Sequence, residues 1–345
     1  MSTQLTQSQA DQIDSALGNI YPRLGGGELT QLAKLFGSRG LLNALRTTLR
    51  PPKPAQPPRG NPPKVTVTVQ LAWLDKRPYA LMNGEKHKVE IADVAVFHFN
   101  TNRWNTGSST TARCLLLQAK AVKTPDQLSA PKVCLNPPTP KSNTTTQREL
   151  LLLSKWPKFD MYLGSNSKTP LATNIQIPFS TSPPPMGWFI GTPMIRPSSS
   201  QMGAWVSPWM CAPAKQDHAC DETLGSLLCR HFSGGQSSQI AKRPTDAGAP
   251  FSYNPTSHGQ GNPTSSDWDR LCIEMMGAVR GQIIPPHLTN GTPQDRLQAG
   301  VMYSIPVWPA LRVLAATVVN ILMRFSKKRM PILVVSRVFD ERIMP

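Results

Sequence analysis

The chain is short of acid: 20 Asp and Glu stand against 37 Lys and Arg in 345 residues, a formal charge of +17. A surplus of that size favours polyanionic partners, and nucleic acid leads because phosphate contacts dominate its binding. The N-terminus lacks a contiguous apolar stretch, Met1 to Ala16 being largely polar. A secretory leader is therefore not expected, and a reduced, cytoplasmic protein is. The six cysteines, Cys114, Cys134, Cys211, Cys220, Cys229 and Cys272, lack the close paired spacing of structural zinc ligands. Cys211, His218, Cys220, Cys229 and His231 fall within 21 residues. Unrelated thiols and imidazoles are the favoured reading there, with zinc left open beside it.

Catalytic signatures are missing too. There is no Ser-His-Asp motif, no Rossmann fingerprint and no HExxH. Ser233-Gly234-Gly235-Gln236 lacks the Lys-Ser/Thr of a phosphate-binding loop and reads as a turn. Internal repeats are absent. A long apolar segment, Val307 to Phe325, contains Pro309, Arg312 and Asn320. An interior Arg is costly in a bilayer, so an amphipathic helix on the protein core is expected, and no membrane partner.

What is there reads as helices and strands in four regions. A polar N-terminal arm or short helix occupies 1–27, a core 28–163, a loop-rich insertion or accessory region 164–265, and helix–strand elements packing on the core 266–345. From Glu28, Leu29, Leu32, Leu35, Leu42, Leu45 and Leu49 recur near helical spacing, with Gly37 and Gly40 as break points. Pro51 to Lys64 reads as an extended linker, and Lys64 to Leu71 alternates as a half-buried strand. Thr146 to Trp156 reads as a helix stopped by Pro157, and Asp221 to Phe232 as a shorter one. Ser266 or Asp267 can cap a helix from Trp268 to Arg280. Pro331 to Ser336 reads as a buried strand able to join the sheet of the segments described next.

Two apolar segments carry polar groups where polarity is costly. Val89 to Phe97 holds Asp93, and Cys114 to Lys120 ends in Gln118-Ala119-Lys120. Strand residues two apart share a face, so Gln118 and Lys120 project together. A charge inside such a run is rarely buried without a partner or a task, and Asp93 is a candidate partner. The plain alternative is a hairpin with Asp93 in a turn and Lys120 snorkelling at a strand end.

Asp93 followed by Gln118-Ala119-Lys120 resembles the metal-dependent nucleases of the PD-(D/E)XK superfamily, in the variant with Gln for the second acid. Restriction endonucleases, Holliday-junction resolvases and RecB-type nuclease domains belong to it. Ala92 stands where the signature has Pro. The resemblance implies an α/β fold with a restriction-endonuclease-like core, a central mixed β-sheet flanked by helices, here with additional loop-rich elements. It implies Asp93, Gln118 and Lys120 as catalytic residues. Mg²⁺, with Mn²⁺ as a substitute, would lie on Asp93, the Gln118 side-chain oxygen and the Ala119 carbonyl, since that cation prefers oxygen ligands. Lys120 would orient the attacking water or steady charge on the phosphate.

The resemblance also implies a further Glu from the helix before the core, where Glu28 lies, although an acid in a helix's first turn is favourable on its own. Glu90 is a second supporting candidate. In an unbroken strand Glu90 and Asp93 face opposite sides, and a kink between them would bring them together. Gln147 is placed like a Gln of RecB-type nucleases, but Leu151 stands where they have Tyr, and a solvated first-turn residue is the favoured reading. Trp156 and Phe159, beside Lys155 and Lys158, are read as core ahead of nucleic-acid contacts. The implied activity is metal-dependent hydrolysis of DNA in bacterial restriction or phage defence, with partner subunits or a homodimer. The alternative is a catalytically inactive nucleic-acid-binding or assembly subunit of the same fold.

Overall fold

Strands dominate where branched and aromatic residues alternate. The computed structural model describes residues 5–20, 27–50, 64–74, 77–122, 145–181, 183–193, 209–215, 220–234, 246–253, 266–278 and 330–340. Two long strands, β4 (Val94–Trp104) and β5 (Gly107–Val122), pair antiparallel around the turn Asn105–Thr106. On β4's other side lie β12 (Met330–Asp340), parallel to it, and then β1 (Lys64–Leu74). Beyond β5 come β8 (Gly187–Pro193), β9 (Met210–Pro213) and β10 (Glu222–Thr223), while β11 (Ala249–Phe251) pairs with the earlier part of β5. The order β1-β12-β4-β5-β8-β9-β10 combines parallel and antiparallel neighbours, so the central sheet is mixed. A second sheet stacks β3 (Val89–Glu90), β2 (Pro78–Met82), β6 (Phe159–Leu163) and β7 (Ala172–Ile175).

Alternation divides the apolar residues between two layers. Val94, Val96, Leu115, Leu117 and Val335 face α1 (Gln7–Ile20), α2 (Glu28–Phe36), α3 (Arg39–Thr48) and α5 (Leu224–Phe232). Ala95, Phe97, Cys114, Leu116 and Val334 face the second sheet, α4 (Thr145–Lys155) and α6 (Asp267–Gly277). Helices therefore flank the sheet on both sides, as expected for a mixed α/β protein.

The main sheet draws strands from three of the four expected regions, all but 1–27. β8 to β11 come from 164–265, so that region builds part of the sheet, and β12 comes from 266–345. β12 lies between β1 and β4, which places the expected Pro331–Ser336 strand beside the motif. Val307 to Phe325, Cys134 and His218 lie outside the described residues. Among the described residues no helix is long and apolar enough to cross a membrane.

The expected arm at 1–27 contains a packed helix. Ala10, Ile13, Asp14 and Leu17 are its buried residues, at the spacing of one helical face. Asp14 Oδ1 accepts from Gly225 N at 2.9 Å, in the first turn of α5. A Cβ at Gly225 would lie 2.5 Å from Ala10 O and 2.7 Å from the Asp14 carboxylate. Gly225→Ala should therefore push α1 off α5 and lower stability by about 1–3 kcal/mol, the usual cost of overpacking, in urea or thermal denaturation. An unchanged melting temperature would mean that the two helices separate without cost.

Local signals held elsewhere. The leucine-rich segment splits at Gly37 and Ser38 into α2 and α3. Ser266 caps α6 and forms a reciprocal box with Asp269. Ser233 follows α5 as its cap and Gly234 takes φ 86°, so this part of the glycine-rich loop is a turn. Trp156 and Phe159 are buried core residues whose rings stand 6.1 Å apart.

Candidate active site

The apolar run Val89 to Phe97 is two strands. Val89 and Glu90 pair with Ala80 and Tyr79 in the second sheet, and Val94 pairs with Leu117 in the first. Between them Ile91 N donates to Pro78 O at 3.0 Å, and Asp93 N donates to Leu117 O at 2.9 Å. The chain crosses between layers there, so Ile91 and Ala92 are consecutively and fully buried. This break brings Glu90 and Asp93 into one electrostatic neighbourhood.

Asp93 stands directly before β4 and is 3 % exposed. Its Oδ2 accepts from Gln118 Nε2 at 2.6 Å and from Ala119 N at 2.8 Å. Burial and the charge of Glu90 push the Asp93 carboxyl well above the usual carboxylate range, against opposing pulls from the Ala119 amide, Arg77 and Lys120. Gln118 is therefore in the site, and its amide neutralises no charge. The N–H and C=O of a strand residue project to the same side, so the Ala119 carbonyl faces the Asp93 side of β5.

Three residues that sequence reasoning passed over complete the site. Arg77, beside β2, places Nη1 2.8 and 2.7 Å from the two Glu90 oxygens and 3.9 Å from Asp93 Oδ1. Tyr79 donates its hydroxyl to Glu90 at 2.8 Å, and burial followed by the Glu90 charge pushes that phenol up to about 12. Glu149, on α4, is buried and pairs with Lys120 Nζ. Burial raises the Glu149 carboxyl above its ordinary range while Lys120 pulls it down, with smaller upward pushes from Glu90 and Glu28.

A signal for Glu149 was present in the sequence. It shares the helical face of Leu152 and Leu153, and an acid on such a face needs a partner. Arg77 and Tyr79 reach Glu90 only through the β2–β3 pairing, which no local pattern announces.

The other candidates fall as follows. Glu28 occupies the first turn of α2 and reaches the site through its charge on Glu149. Gln147 is half-buried in the first turn of α4, and Leu151 is exposed. Cys211, Cys220, Cys229 and His231 are buried. Burial pushes the thiols of Cys211 and Cys229 up, away from the thiolate that zinc binds, and drops His231 to about 3. Among the described residues no three His, Cys, Asp or Glu side chains gather as a metal-holding group.

The donor set around Asp93 is of another kind. Asp93 Oδ1 and Gln118 Oε1 are buried acceptors without a hydrogen-bond partner, on two residues already bonded to each other. Native structures rarely strand buried acceptors in this way. One carboxylate oxygen, one amide oxygen and a carbonyl on the same side fit a hard divalent cation that keeps part of its water shell. Family models, curated proteins and solved structures return no match to this chain.

Proposed function

We propose that this chain is a metal-dependent nuclease that hydrolyses phosphodiester bonds in DNA, with a restriction-endonuclease-like core built around the β4–β5 hairpin. The observation that carries the reading is the Asp93–Gln118 pair, with one open oxygen on each residue, two positions from Lys120 on the same face of β5. The +17 charge supports a polyanionic substrate. Mg²⁺ or Mn²⁺ would be held by Asp93, the Gln118 oxygen and the Ala119 carbonyl. Such a cation, when bound, lowers the pKa of water and polarises a phosphoryl oxygen. Lys120 brings an ammonium to steady the charge developing on the phosphate. Arg77 and Tyr79 hold Glu90, which adds negative potential beside Asp93.

The proposal includes a cytoplasmic setting in restriction or phage defence, with partner subunits. It also includes a homodimer where both strands are cut, since two cuts need two sites. The second reading is a nucleic-acid-binding or assembly subunit without hydrolysis. Gln118 favours it, because an amide stands where a second acid would strengthen metal binding.

The test is cleavage of supercoiled plasmid, linear duplex and single-stranded DNA with Mg²⁺ or Mn²⁺, by wild type and Asp93→Asn, with DNA binding measured on the same samples. Cutting that needs both metal and Asp93 supports the enzyme. Binding without cutting supports the subunit.

Gln118→Glu separates the two further. It sets a carboxylate against Asp93 across a 2.6 Å contact, and like charges that close share a proton. Without divalent cation the variant should melt below wild type at pH 8, and Mn²⁺ should raise its melting temperature by more than it raises wild type's. Equal Mn²⁺ shifts would remove position 118 from the cation site.

A further inference from the structure

We propose that Glu149 is a positioning residue for Lys120, an inference that rests on the nuclease reading above. A lysine near a strand end carries its charge on a flexible four-carbon stem, and that freedom must be removed before the ammonium can serve one point in space. The main chain of Lys120 is tied down: its carbonyl accepts from Thr192 Oγ1 at 3.1 Å, in the neighbouring strand β8. Its side chain is directed by Glu149, with which Nζ is in contact.

Glu149 suits this task because it cannot wander. Its side chain is 6 % exposed, and Leu152 and Leu153 on the same face hold α4 in the core. The ammonium also acts electrostatically on Asp93, so Lys120 answers to two carboxylates at once. Of the two, Glu149 makes the contact. Gln118 brings no charge to compete for the ammonium, so the carboxylate that orients Lys120 comes from the helix and not from the strand. Lys120 thereby stays within electrostatic reach of Asp93 while its direct contact is with Glu149.

The test is a double-mutant cycle in full-length protein: Glu149→Gln, Lys120→Met and the double variant. Steady-state cleavage would be read together with Mn²⁺ calorimetry. Glu149→Gln should lower kcat by about 10²-fold, the scale of a misplaced catalytic group, with KM and Mn²⁺ affinity unchanged. The double variant should be no slower than Lys120→Met alone, because the two residues act as a unit.

Glu149→Gln cutting as fast as wild type, or faster, overturns the proposal. So do additive losses, and lost Mn²⁺ binding, which would make Glu149 a ligand. Wild type that cuts no DNA with either metal sinks the nuclease reading and the positioning role with it. Wild type that cuts, beside an unimpaired Glu149→Gln, sinks the positioning role alone.

Discussion

Asp93→Asn should abolish metal-dependent cleavage and, above neutral pH, yield a more stable protein than wild type. Asp93 is the acid of the site that no cation touches closely, because Glu90 is taken up by Arg77 and Tyr79, and Glu149 by Lys120. Replacing it removes the charge that would attract a divalent ion. A loss of about 10³-fold or more is expected, at or beyond the 10²–10³ caused by deleting one transition-state donor.

The stability change has the opposite sign. Burial and Glu90 raise the folded carboxyl above its unfolded value of about 3.9. A group shifted in that direction contributes stability that is complete below the unfolded pKa and is lost as pH rises through the folded one. Asn cannot ionise, so the variant avoids this loss, while its amide oxygen can still accept from Gln118 and Ala119. Melting temperatures should coincide near pH 4 and diverge in the variant's favour toward pH 8. Mn²⁺ should raise the wild-type value, more so at higher pH because binding the cation displaces a proton. It should leave the variant's value unchanged. Retained cutting would remove Asp93 from the site, and a pH-independent gap would deny that its charge is disfavoured.

How much of this could be read in the sequence depends on how local each cause is. The β4–β5 hairpin was legible because Cys114 to Lys120 and Val89 to Phe97 announce strands by composition, but Asp93, the partner expected for Lys120, pairs with Gln118, and Lys120 pairs with Glu149. Ser266 was legible as a cap because a cap is chemistry between neighbours. The break after Glu90 was hidden, since Ile91 and Ala92 extend the apolar run without a glycine or proline to mark the crossing between sheets. Strands β8 to β11 were hidden for another reason. They are short and largely covered, and their proline- and glycine-rich surroundings mimic loops while the pairing that fixes them is mostly non-local. Asp14 and Glu149 were each marked by an acid on an apolar helical face, but their partners, Gly225 and Lys120, become neighbours only when the layers assemble.

Lys120→Met carries the other large effect, and it divides into two parts that pH can separate. Methionine retains much of the apolar stem but leaves the Glu149 carboxylate buried and unpaired. Removing one partner of a buried ion pair typically costs about 3 kcal/mol or more. Burial already raises the Glu149 carboxyl in wild type, and without the ammonium it must rise further. The penalty therefore belongs to the ionised form. It should be largest near pH 8 in urea denaturation and shrink as acid protonates Glu149. Adding Glu149→Gln should restore most of the stability, because two neutral groups then replace a stranded charge. Turnover should behave differently: it should fall far more than DNA affinity and stay low in the restored double variant, since the cation proposed to steady the phosphate would be gone. Equal losses of turnover and affinity would make Lys120 one more basic contact in a basic protein. Activity that returned with stability would show that the Lys120–Glu149 pair serves the fold alone.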